Sequence, residues 1–195
     1  RGPRHLPGGA RGAAEPRRAR AGRHGGGLVT RHDGHTRDLS DDPDVITVER
    51  VIVAPPEAIF RYLANANLHH EIDGSGTVVA ARDAPDPLVL GSTFGMSMKM
   101  GVPYSMVSTV VEYEPNRRIA WQTKGPGRIG GRFGGRIWRY ELEPVGGGTA
   151  VRESWDIRQE SPLTKPLVKA LASKETARNM AATLERIEAL VTEDD

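Results

Sequence analysis

The chain has no cysteine among its 195 residues. Disulfides, thiol nucleophiles and cysteine-ligated metals are therefore excluded. A reducing compartment suits such a chain, and a cytoplasmic location is expected. Long apolar runs are lacking as well. No stretch reaches the roughly 18 residues that mark a membrane-spanning helix, and no charged-then-apolar leader stands ahead of the body. Aromatic residues make up only 5%, and beyond His35 the only histidines are His69 and His70. The body also lacks strong charge of one sign. Residues 43–195 hold 18 Lys or Arg against 20 acids, whereas residues 1–42 hold nine Arg against five acids. The basic excess belongs to the first segment, so the body gives no electrostatic case for nucleic acid.

Composition divides the chain in the same place. Residues 1–42 are rich in Gly, Arg and Pro, with few large apolar side chains. Such a segment cannot offset its ordering entropy by burial, and it is expected to be a disordered tail. It resembles an RGG-type arm only in part, because the interleaved aromatics of such arms are absent. Residues 43–195 read as one folded domain.

Within the body, VITVERVIV (45–53) reads as a strand. APPEAIFRYLAN (54–65) reads as a short amphipathic helix with proline in its first turn. ANLHHEID (66–73) is a second helical turn, closed by GSG. Strands are expected over 77–83, 92–100, 104–115, 117–123, 136–144 and 149–157, with a glycine-rich loop over 124–135. A long helix is expected over 161–191, started by Pro162, kinked in its first turns by Pro166, and striped with Met180, Leu184, Ile187 and Val191. Consecutive strands with short turns imply an antiparallel meander. One long amphipathic helix must bury its stripe on the concave face of that sheet, leaving room for a ligand between them.

The order and spacing of ITVERVIVAPPEAIFRYL, IDGSG, VVEYEPNRRIAWQT, WRYELEPVGGGTAVRESWD and the terminal helix resemble the SRPBCC superfamily. Within that superfamily the chain is most similar to the polyketide cyclase/dehydrase and lipid-transport group. The resemblance covers about residues 45–191. It implies an α+β helix-grip (START/Bet v 1-like) fold, with a curved antiparallel sheet of about seven strands wrapped on a long C-terminal helix, and two short helices after the first strand. It also implies a hydrophobic small-molecule partner, such as a lipid, polyketide or isoprenoid, with carriers and cyclases both represented in the family.

Strand alternation assigns the inner face. Trp121, Trp138, Tyr140, Glu153 and Trp155 fall on it, and the three Trp there serve either as plain core or as a cavity wall. Phe94, Met96, Met98 and Met100 alternate along one strand, followed by Tyr104 and Met106 on the next. Four of the five methionines thus lie within one hairpin, where a flexible thioether suits an adaptable wall. Met180 and Leu184 face them from the helix. Glu153 stands out as a carboxyl on an apolar face. It is either a cavity acid that orients a ligand or moves a proton, or an acid neutralised by Arg136 or solvated at the cavity mouth.

His69 and His70 diverge on a short helix, which does not suit shared metal binding; either residue at an entrance near Asp73 could act as a base or gate. Glu153, His69 and His70 are the candidates for catalysis. No metal or cofactor is expected. GPGRIG (125–130) matches the dinucleotide fingerprint only formally, because a strand rather than a helix follows it. Its loop reads instead as a mobile lid or a hairpin end, where Arg128 and Arg132 could meet an anionic head group. No nucleophile elbow and no phosphate-binding loop is present. Binding or transport of a hydrophobic molecule is the leading expectation, with a polyketide cyclase or dehydratase as the alternative.

Overall fold

A computed structural model describes Gly2 and residues 34–193, with the side chains of 171–174 outside that description. Most of the Arg/Gly-rich stretch expected as a tail lies outside the described residues.

Eight antiparallel strands form one sheet: β1 (Arg37–Asp38), β2 (Val45–Ile52), β3 (Val78–Arg82), β4 (Thr93–Met100), β5 (Val102–Glu114), β6 (Arg118–Lys124), β7 (Gly134–Val145) and β8 (Gly148–Asp156). Their spatial order is β1-β2-β8-β7-β6-β5-β4-β3. The meander expected from the short turns runs unbroken from β3 to β8, and β2 closes onto β8. The count exceeds the expected seven because Arg37 and Asp38 pair with Glu49 and Val48. Composition alone places this strip in the tail. It is held by charge rather than apolar burial: Arg37 donates to Glu49 Oε1 at 2.7 Å, and Arg152 donates to Glu49 Oε2 at 2.7 Å. Register shifts interrupt the β3–β4, β5–β6 and β6–β7 ladders. Such bulges increase local twist and bend a sheet.

Four helical segments cover or flank the sheet: α1 (Pro56–Leu63), α2 (His69–Ile72), reached through a single 3-10 turn at Ala66–Leu68, α3 (Gly127–Gly130) and α4 (Lys165–Glu193). Pro56 sits in the first turn of α1, where its missing N–H costs nothing. The helix buries Ile59, Phe60, Tyr62 and Leu63. Met180, Leu184, Ile187 and Val191 of α4 are all buried, as their spacing requires. They pack toward β2, β8, α1 and α2. The expected kink at Pro166 is corrected: α4 begins at Lys165, so Pro166 occupies its first turn and breaks no helical hydrogen bond. The glycine-rich loop is likewise more ordered than expected, since it contains α3.

The IDGSG segment latches the sheet to α4. The Asp73 carboxylate accepts from the Ser75 amide at 3.0 Å and from the Val78 amide at 2.8 Å, which folds the turn. Gly74 then donates its N–H to Thr183 Oγ1 at 3.0 Å, and Arg186 reaches the Asp73 carbonyl. A Cβ on Gly74 would stand 2.1 Å from the Asn179 carbonyl oxygen and 2.4 Å from the Thr183 nitrogen. Both are helix backbone atoms, which cannot swing aside. Gly74→Ala is therefore expected to push the loop off α4 at a cost of about 1–3 kcal/mol. A thermal melt should show Tm lowered by roughly 2–12 °C for a chain of this size; an unchanged Tm would disprove the latch.

Candidate functional site

The pairing register carries one set of side chains across the concave face. Glu153 lies between Val48 and Tyr140, and Tyr140 lies beside Ile119. One step along, Trp155, Trp138 and Trp121 stand opposite one another in turn. Met96 opposes Met106, Met98 opposes Tyr104, and Phe94 opposes Ser108. The face expected from alternation is thus a continuous surface from β2 to β4. An aromatic group sits at its centre: Trp121 is 5.5 Å from Tyr140 and 6.1 Å from Phe94 between ring centroids. Trp138 and Trp155 lie 6.3 Å apart.

Glu153 is 2% exposed. Its Oε1 accepts a hydrogen bond from the Tyr140 hydroxyl at 2.8 Å, while Oε2 is buried with no partner among the described residues. Burial pushes its pKa up to about 8; the Tyr140 bond opposes the shift and the Asp73 carboxylate adds to it. Tyr140 is pushed well above its ordinary value by the same burial and by the Glu153 charge. At neutral pH the carboxyl therefore holds its proton, and it can offer that proton to an acceptor on the concave side.

Arg136 is not the partner of Glu153. It faces Glu160 instead, at 3.2 Å, and the Glu160 side chain is wholly buried. Its parity matches that of Trp138, yet it lies two residues further toward the strand end. The second alternative for Glu153, a solvated mouth, is also corrected by its burial. His69 is buried rather than standing at an entrance. It stacks on Trp121 at 4.9 Å, and Nε2–H donates to the Leu63 carbonyl at 3.1 Å. Burial brings its pKa down to about 4, so it is neutral at pH 7. His70 points the other way, exposed, with Nδ1 2.8 Å from the Asn67 carbonyl.

Of the remaining expected residues, Phe94, Met96, Trp121, Trp155, Met180 and Leu184 are buried. Met98, Met106 and Trp138 keep partial exposure on the same face. Met100 and Tyr104 are exposed near the tip of the β4–β5 hairpin. Two surface pockets lie elsewhere: one of about 440 Å³ beside Arg61, Tyr62, Asn65 and Asp86, and one of about 310 Å³ beside Arg117, Arg118, Glu141 and Arg152. Sequence reasoning missed one polar feature of the concave face. Ser108 and Thr123 form a buried hydroxyl pair at 3.0 Å, which alternation from Met106 and Trp121 would have found. Asp73 is the anion whose field reaches Glu153, Tyr140 and His69.

The two buried groups give opposite pH signatures. Folded Glu153 keeps its proton up to about 8, against 4.5 for a free side chain, so its contribution to stability is lost as pH rises through that window. His69, at about 4 against 6.5, loses its contribution as pH falls through that lower window. Above pH 6.5 only Glu153 of the two still changes. Stability is expected to fall between pH 6.5 and 8, with a slope of at most about 1.4 kcal/mol per pH unit, and Tm with it. Glu153→Gln should flatten that slope in melts across the range; an identical slope in the variant would refute the assignment.

Comparison with known proteins bears on the fold and the family. An uncharacterized protein of Mycobacterium tuberculosis is 36% identical over 107 residues, covering 54% of this chain and 44% of the relative. The chain thus spans less than half the length of the curated relatives it matches. Among solved structures, Ms6760 of Mycobacterium smegmatis superposes with a TM-score of 0.62 at 14% identity, covering 83% of this chain and 100% of the other. A protein from Rhodobacter sphaeroides gives 0.62 at 16% identity with the same coverage. The di-domain ARO/CYC StfQ from the steffimycin biosynthetic pathway gives 0.57 at 14% identity, covering 77% of this chain and 51% of the other. At such identities these likenesses bear on the fold alone. The family model described as polyketide cyclase / dehydrase and lipid transport matches residues 44–192, and the chain belongs to that family.

Proposed function

We propose that the chain binds a hydrophobic small molecule, such as a lipid, polyketide or isoprenoid, against the concave face, with the Glu153 carboxyl as its polar anchor. The single observation that carries this reading is the buried, half-satisfied Glu153 on a largely apolar surface. An unmade hydrogen bond in such a place costs about 1–3 kcal/mol. A ligand carbonyl or hydroxyl meeting Oε2 would recover that cost. Met98, Met106 and Trp138 support the reading, because they leave apolar area on the concave side that the core has not consumed. Methionine repacks readily around varied shapes, and Trp contributes large area with one donor.

A second reading, a cyclase or dehydratase, is favoured by the protonation of Glu153 near neutral pH beside the Tyr140 phenol. A carboxyl in that state can deliver a proton to a ketone or hydroxyl oxygen, while the apolar wall holds a flexible chain in a folded pose.

Native mass spectrometry of the full chain purified from cells should show a co-purifying hydrophobic molecule. Repeated purification with no adduct, together with no uptake of supplied long-chain ketones or fatty acids, would overturn both readings. Glu153→Gln separates them. A carrier should still bind a supplied poly-β-ketone with affinity changed by less than about tenfold, because the Gln amide N–H replaces the carboxyl O–H as donor. An enzyme should lose turnover by a factor of about 10²–10⁴.

A further inference from the structure

The end of the sheet that carries the β4–β5 turn differs from the rest of the surface. The Val107–Lys124 pairing leaves the last residues of the β4–β5 hairpin projecting past β6, beside the loop of 125–133. Gly125 and Phe133 close that loop through a backbone hydrogen bond of 3.0 Å. Ser161 donates to the Gly134 carbonyl at 2.9 Å, which draws the lead-in of α4 to the same place. Three segments, 97–105, 124–136 and 158–169, therefore share one end.

Large apolar side chains are exposed on all three. Ile129 is 79% exposed, Leu163 77%, Val102 72% and Met100 68%, with Phe133 and Leu167 among them. The same segments hold eight Lys or Arg and a single acid, Glu160. Glu160 is buried against Arg136, and Lys165, Lys169 and Arg158 are paired with Asp44 and Asp156. Lys99, Lys124, Arg128 and Arg132 are exposed and enter no ion pair among the described residues. The β1–β2 segment adjoining residues 158–169 carries the exposed acids Asp38 and Asp41, and its Asp44 is taken up by Lys165 and Lys169. The opposite end also exposes apolar residues, Val53 and Leu90, but the turns there carry Asp83, Asp86, Glu114 and Glu143.

We infer that this end is a docking surface for an anionic lipid bilayer. Exposed apolar side chains insert at the level of the headgroups, and cations ringing them meet the negative surface potential. Neither alone holds a protein stably; together they do. The fold has no other evident use for solvating Ile129 and Leu163 beside unpaired cations, in a body whose overall charge is slightly negative. Among the described residues no helix is long and apolar enough to cross a membrane, so contact through this rim would be peripheral. The inference does not depend on what fills the concave face.

The test is co-sedimentation of the full chain with vesicles of mixed phosphatidylcholine and phosphatidylserine, against vesicles of phosphatidylcholine alone and against duplex DNA. Wild type should partition onto the mixed vesicles, less so as salt rises. The pair Arg128→Gln with Arg132→Gln should lower the partition coefficient about 25-fold, near fivefold per cation. The pair Ile129→Ser with Leu163→Ser should lower it by about tenfold or more. Leu90→Ser, at the opposite end, should leave it unchanged. All these side chains are exposed, so unchanged melts will show that the variants are folded. No partitioning by wild type would overturn the proposal. So would binding that survives both pairs, which the Arg-rich residues 1–42 would then explain. Equal weakening by Leu90→Ser, or tighter binding to DNA than to vesicles, would overturn it too.

Discussion

A carboxyl has been placed where water cannot reach it, and much of the concave face is organised around that fact. Glu153 sits between Val48 and Tyr140 on three adjacent strands, with one oxygen bonded to the Tyr140 hydroxyl and the other without a hydrogen-bond partner among the described residues. Burial of an ionised carboxylate without a cation costs several kcal/mol, so the group keeps its proton instead. Among the described residues no cation is supplied: Arg136, four residues from Tyr140 along the neighbouring strand, is committed to Glu160. A neutral acid in an apolar surround donates a hydrogen bond at neutral pH, which an ordinary surface glutamate cannot do.

The rest of the architecture explains how such a group is tolerated. Bulges bend the sheet, and α4 is gripped against β2 and β8, chiefly through its buried stripe and the close approach of Gly74. The helix therefore covers one side of the concavity. Toward β4 and β5 the face continues as Met98, Met106 and Trp138, which are only half-buried. The aromatic group of His69, Phe94, Trp121 and Tyr140 joins the two sides. The convex face is different in kind. There Arg139 pairs with Glu112 at 2.6 Å, and Arg118 bridges toward Glu141 at 3.5 Å, so polar cross-strand pairs replace packing.

Strand alternation alone placed Glu153, Tyr140 and the three Trp on one face, because a period of two leaves no freedom once one buried residue is known. The α4 stripe was legible for the corresponding reason, at a period of 3.6. What was not legible depended on contacts distant in sequence. Arg136 shares the parity of Glu153's neighbours, yet Glu160, in the loop after β8, claims it. His69 reads as a polar residue near an entrance until Trp121, fifty-two residues on, is seen to stack on it. The β1 pairing rests on Arg37 meeting Glu49, an ion pair with no periodic signature in a segment of tail-like composition. The register that brings Ile129, Met100 and Leu163 to one end likewise appears only once the strands are paired.

The central claim is that Glu153 is a protonated acid at neutral pH. Carbon-13 NMR of the glutamate side-chain carboxyls, with Glu153 assigned by its absence in Glu153→Gln, measures this directly. The account predicts one carboxyl resonance that titrates near pH 8, far from the ordinary 4.5. A Glu153 resonance that titrates near 4.5, with the bulk of the glutamates, would contradict it.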